Sequence, residues 1–142
     1  MKIFFGQIYT APGVSFEWSI AFQAYLSETV TALVFPSEAF AAKYGPDWSL
    51  GFRISAKKGI ESNEIRGSSV FKRDKDVEFT IFLPFDRVPA GEAFAEPALE
   101  FLLDGVMDVL QRLGIDAARL QQKRAEIIAH VCAAPEMSEL RK

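Results

Sequence analysis

Cysteine and histidine are almost missing from this chain. Its 142 residues include one Cys, Cys132, and one His, His130. A lone Cys closes no internal disulfide, so nothing indicates an oxidising compartment, and a cytoplasmic protein is the expectation. His130 and Cys132 stand two apart on an expected helix, which puts them on different faces. No other His or Cys is available to complete a zinc set. They read as a histidine favoured by the dipole at a helix C-terminus and a small buried thiol. A Cys–His nucleophile pair would need contact and an orienting third group, for which nothing in the sequence argues. Long apolar runs are lacking too. No window approaches the roughly 18 apolar residues that span a bilayer. The opening Met1-Lys2-Ile3-Phe4-Phe5-Gly6-Gln7 is too short for the apolar region of a signal peptide and offers no small-residue cleavage site.

One-signed charge is also absent. Sixteen basic residues against 19 acidic ones leave a formal net charge of -3, with a sequence pI of about 5.2. That is not the footprint of a nucleic-acid binder. Glycine-rich phosphate loops are missing: Gly59, Gly67 and Gly91 stand alone, and none opens a helix after a strand in the required pattern. Acidic pairs exist, Glu61 with Glu64, Asp74 with Asp76 and Glu136 with Glu139, but in turns and a tail rather than facing across a cleft as glycoside chemistry requires. Asp74-Lys75-Asp76 is too short for a calcium loop and lacks its glycine and distal glutamate. The residues therefore indicate no catalytic, metal or cofactor site.

What is present is a hydrophobic fraction of 49%, a charged fraction of 25% and 13 Phe. These are the proportions of a soluble globular protein. The length is that of one domain, 1–142, large enough to hide roughly 70% of its unfolded surface without staples. Not every Phe need fit in the core, and an exposed one is a candidate contact.

Residues 2–9 read as a strand closed by Thr10-Ala11-Pro12-Gly13. Val14, Phe16, Trp18, Ile20 and Phe22 then alternate with polar or small residues, which argues for a half-buried strand. A helix over residues 17–28 competes, because Phe22, Tyr25 and Leu26 also share a helical face. Residues 29–35 are β-like, and 37–44 a short helix with Ser37 as its cap and Gly45-Pro46 as its stop. A meander of three strands follows at 49–56, 64–72 and 77–85. Its joints are the loop 57–63 and the charged turn Arg73-Asp74-Lys75-Asp76. Gly67 hints at a bulge, and Pro84 marks a strand end or an edge. In the third strand Val77, Phe79, Ile81, Leu83 and Phe85 share one face. Phe82, like Phe71, is expected on the opposite one.

Two helices finish the chain. The first covers about 93–113, its true start nearer Glu96, with Gly114 as a left-handed cap. The second runs from 117 to about 133, with Asp116 as its cap and Ile115 and Leu120 as a staple. Leu120, Ile127 and Val131 form its buried face; Gln121, Gln122, Lys123, Arg124 and Glu126 form its polar face. The order predicts an α+β fold: a mostly antiparallel sheet within about 1–86, a short helix, and two C-terminal helices at about 93–134 packed as a hairpin on one face.

Lys57, Lys58, Arg66, Lys72, Arg73 and Lys75 cluster in the meander, interleaved with Glu61, Glu64, Asp74, Asp76 and Glu78. Such charges are either a solvated hairpin with weak cross-strand pairs or a patterned recognition surface. Exposed Phe71 or Phe82 among them would have the make-up of an interface hot spot.

Ile54-Ser55-Ala56-Lys57-Lys58-Gly59, Glu64-Ile65-Arg66-Gly67, Val70-Phe71-Lys72 and Asp76-Val77-Glu78-Phe79-Thr80-Ile81-Phe82-Leu83-Pro84-Phe85-Asp86, together with Leu110-Gln111-Arg112-Leu113-Gly114-Ile115 in the tail helix, resemble bacterial immunity proteins. These are the small antidotes encoded beside polymorphic or contact-dependent toxins. The resemblance implies a non-enzymatic cytoplasmic protein that neutralises one cognate toxin domain by tight binding, with no cofactor, no nucleic acid and no membrane. Lys57, Lys58, Glu61, Glu64 and Arg66 are the candidate contacts. The alternative is a small-molecule module whose sheet and helices enclose an apolar pocket lined by several of Phe16, Trp18, Phe22, Phe79 and Phe85.

Overall fold

Alternation in Val77, Phe79, Ile81 and Leu83 turns one side of a strand, β4 (Asp76–Pro84), into four buried apolar side chains. In the computed structural model, which describes residues 2–5, 20–35, 38–45, 47–84 and 96–134, this strand sits inside a four-stranded sheet. The others are β1 (Lys2–Phe5), β2 (Ser49–Lys57) and β3 (Glu64–Phe71), in the order β1-β2-β4-β3. Four helices accompany them: α1 (Ile20–Leu33), α2 (Glu38–Tyr44), α3 (Glu96–Arg112) and α4 (Ala118–Ala133). The α+β class holds.

The sheet is mixed rather than mostly antiparallel. β1 pairs with β2 in parallel, β2 pairs with β4 in parallel, and only β3 and β4 form an antiparallel hairpin. The reason lies in strand composition. Leu50, Phe52 and Ile54 of β2 register against Val77, Phe79 and Ile81 of β4, and all six are buried. Each such side chain gains about 1.5–3 kcal/mol from burial, which favours the β2–β4 pair at the centre. β3 offers only Ile65 and Val70 to that side and carries Glu64 and Arg66 on the other, so it fits the rim, where charge also blunts an edge.

A bulge in β3 keeps those two apolar residues on one face. Ile65 pairs with Ile81 and Val70 with Val77, with the register shift between Arg66 and Ser69. Five positions separate the first two and four the second, so without one extra residue Val70 would flip to the opposite side. The same insertion carries Phe71 to the side of Arg66.

Ile20 to Leu33 is helical, against the strands expected across 14–23 and 29–35; residues 14–19 lie outside the described residues. The helical stripe Phe22, Leu26, Val30 buries fully, and that outweighs the β-branched run Thr29-Val30-Thr31, whose propensity is worth only tenths of a kcal/mol per residue. α1 covers the free edge of β1. The Ile3 N–H donates to Thr31 Oγ1 at 3.0 Å and the Phe5 N–H to Ser27 Oγ at 3.1 Å.

α3 lies on β4 and β3, while α4 packs on α3 and α1. Gly105 sets the depth of α3: a Cβ there would stand 2.6 Å from Ile81 Cγ2. Gly114 caps α3 with a φ of 71°, as expected, and the Asp116 carboxylate accepts from the Ala118 N–H at 3.0 Å. Arg124 departs from the expected polar face. Its guanidinium bonds the Glu100 carboxylate, the Glu100 carbonyl and Asp104, with only 17% of the side chain exposed. Burial acts to lower its pKa, but the bonds to Asp104 and Glu100 prevail and raise it. Cys132 is exposed rather than buried, because the buried stripe of α4 is Leu120, Ile127, Ile128 and Val131.

Candidate functional site

Buried side chains from the helices and from one face of the sheet form a single cluster. The other face carries the alternate residues: Phe4 of β1, Arg53 and Lys57 of β2, Glu78, Thr80 and Phe82 of β4, and Glu64, Arg66 and Phe71 of β3. Phe82 is the hub. It registers with Ser55 on one side and Glu64 on the other, which puts Lys57 and Arg66 at its diagonal positions, within reach of long side chains. The Arg66 guanidinium lies 5.1 Å from the Phe82 ring centroid and the Lys57 ammonium 5.9 Å. Both distances fit cation–π attraction. Lys57 also bonds Glu64 at 2.8 Å.

Three of the five expected contact residues, Lys57, Glu64 and Arg66, thus surround one aromatic ring. Lys58 and Glu61 are exposed in the turn and bend between β2 and β3. That connection is tied down at its end. Asn63 Nδ2 donates to the Phe101 carbonyl of α3 at 2.6 Å, and its amide nitrogen lies 3.3 Å from where a Cβ on Gly105 would be. The bare flank of Gly105 gives the side chain its room.

Two further members of this face escaped sequence reasoning. Arg53 pairs with Glu78 at 3.2 Å, and the Phe4 ring lies over Gly51, where an added Cβ would come within 2.6 Å of it. The signal was available for the first pair, since Arg53 and Glu78 alternate with buried residues in the same phase as Phe82. Phe71 is 40% exposed, so the face offers an open aromatic as well as charge. The Asp76 carboxyl beside it is held above its ordinary pKa by burial, then by the charges of Asp74 and Glu78.

The Phe-lined pocket of the alternative reading is not formed by the members that can be placed. Phe22 and Phe79 belong to the packed core; Phe16, Trp18 and Phe85 lie outside the described residues, as do Glu136 and Glu139. Among the described residues no group of three or more His, Cys, Asp or Glu could hold a metal ion, and no helix is long and apolar enough to cross a membrane. Compared with family models, curated proteins and solved structures, the chain matches none.

Proposed function

We propose that this chain is an immunity-type binding protein that neutralises a cognate bacterial toxin domain by holding it against the outer face of its sheet. The observation that carries the reading is the gathering of Lys57, Glu64 and Arg66 around Phe82, with exposed Phe71 on the same face. These charges do little for folding. Lys57 and Glu64 are each nearly half exposed, and such pairs contribute under about 1 kcal/mol. Their value is in recognition: aromatic anchors ringed by fixed charges of both signs set the register of a partner and speed its approach. Lys58 and Glu61 extend the pattern toward the loop, where basic groups meet carboxylates of the toxin and acidic groups meet the basic lining of its cleft.

The test is co-expression of the tagged chain with a toxin domain encoded beside it. The expected outcome is a stable complex in pull-down and rescue of growth. Absence of any complex with that domain would end the proposal.

A further inference from the structure

The opposite, helical side of the molecule holds a second surface that the proposed interface does not use. α1 and α4 run antiparallel and are fastened to each other at two places. Near one end Phe35 and Asp116 exchange backbone hydrogen bonds of 3.1 and 3.2 Å. Near the other the rings of Tyr25 and His130 meet at 4.8 Å. Between these fastenings the helices leave an open groove of about 640 Å³.

Both walls are continuous helical stripes. Tyr25, Glu28, Ala32 and Leu33 face it from α1, and Lys123, Glu126, Ile127 and His130 face it from α4, at the three- and four-residue spacings that share a helix side. Its volume is that of a small-molecule site. The distance from Tyr25 to Leu33 is eight residues, about 12 Å along a helix, which is shorter than the three turns a docked helical peptide would lay down.

Charge selects the occupant. Glu126 is matched by Lys123 at 3.3 Å. Glu28 has no ion-pair or hydrogen-bond partner among the described residues and lies one turn from Tyr25 on the same wall. A carboxylate with no partner among the described residues, beside an aromatic face and above an apolar floor of Leu33 and buried Ile127, is the combination that recognises an ammonium group. We propose that this groove binds a small organic cation, an amine or quaternary ammonium on an apolar body. The ammonium sits between Glu28 and the Tyr25 ring, and the body lies along Ala32, Leu33 and Ile127.

Phenethylamine is the probe, with 2-phenylethanol as its neutral counterpart, titrated into the isotope-labelled chain and followed by amide shifts. The expected result is saturable shifts confined to α1 and α4 with the amine, and affinity for the alcohol about tenfold weaker, the size of one charge-assisted contact. Glu28→Gln, at an exposed position, is expected to weaken the amine by a similar factor and leave the alcohol unchanged; Tyr25→Leu should weaken the amine more than the alcohol. Equal affinity for amine and alcohol would overturn the proposal. So would shifts falling on the sheet, or no saturation by about 10 mM, tenfold weaker than a millimolar site. Concentration-dependent dimerisation abolished by Glu28→Gln would also overturn it, by showing that a second copy fills the groove.

Discussion

The Thr31 hydroxyl accepts a hydrogen bond from the Ile3 N–H and donates one to the Ile3 carbonyl, each at 3.0 Å. A helix side chain thereby takes the place of a neighbouring strand at the edge of β1, and Ser27, one turn earlier, accepts from the Phe5 N–H at 3.1 Å. Thr31→Val keeps the shape and leaves both polar groups of fully buried Ile3 without a partner. The variant is expected to lose about 1–3 kcal/mol of unfolding free energy, measured by urea denaturation. Thr29→Val, which forfeits no such bond, should lose less than about 0.5 kcal/mol.

Gly105 is the second test. Alanine raises helix propensity by about 1 kcal/mol over glycine, so on an open helix Gly105→Ala would stabilise. Here the new methyl meets Ile81 Cγ2 at 2.6 Å, on a β-branched side chain that is itself fully buried. Overpacking costs about 1–3 kcal/mol and should prevail. A fall in melting temperature is the expected outcome, with faster exchange of the Asn63 side-chain amide as its bond to the Phe101 carbonyl is strained.

Arg124 joins α4 to α3 through two carboxylates and a carbonyl. A lysine keeps the charge but presents no planar fork. Arg124→Lys is expected to cost about 1–2 kcal/mol despite conserving charge. Lys123→Arg, one position away, should be neutral in the same denaturation assay.

Asp76 gives a dependence on pH. Burial, then Asp74 and Glu78, raise its pKa in the folded chain. Its ionised form is therefore the disfavoured one. The penalty is absent below the unfolded pKa, grows as pH rises from the unfolded to the folded value, and is complete above the folded one. Asp76→Asn is expected to shift the urea midpoint upward at pH 7 and to leave it unchanged near pH 3, below both values. An equal gain at both pH values would assign the effect to something other than titration.

Much of this fold was legible because one signal, alternation or a helical stripe, dominated its segment. Residues 77–83, the stop at Gly114 and the stripe Leu120, Ile127 and Val131 are of that kind. Where two periods were superposed the sequence misled. Phe22, Leu26 and Val30 make a helix face, but Ile20 and Phe22 also alternate, and the contacts with β1 that decide the matter come from residues far away in the chain. Strand order failed for a related reason: neighbours in sequence suggest a meander, while burial draws β2 and β4 together and leaves charged β3 outside. Gly105, alone within the apolar stripe of α3, was a readable sign of close approach. At the candidate site Lys57, Glu64 and Arg66 were legible as a charged cluster. Their convergence on Phe82 was not, since it requires β2 and β3 to flank β4.

The most direct test of the account is the dissociation constant of the complex with the cognate toxin domain for Arg66→Glu, beside Lys123→Glu on the helical side. Both side chains are exposed, so each reversal is borne by a folded protein. The account predicts that Arg66→Glu weakens binding by about 100-fold or more, as for a charge beside an aromatic anchor at an interface centre, while Lys123→Glu leaves it unchanged. Unaltered affinity for Arg66→Glu, with a loss for Lys123→Glu, would contradict it and move the interface to the helices.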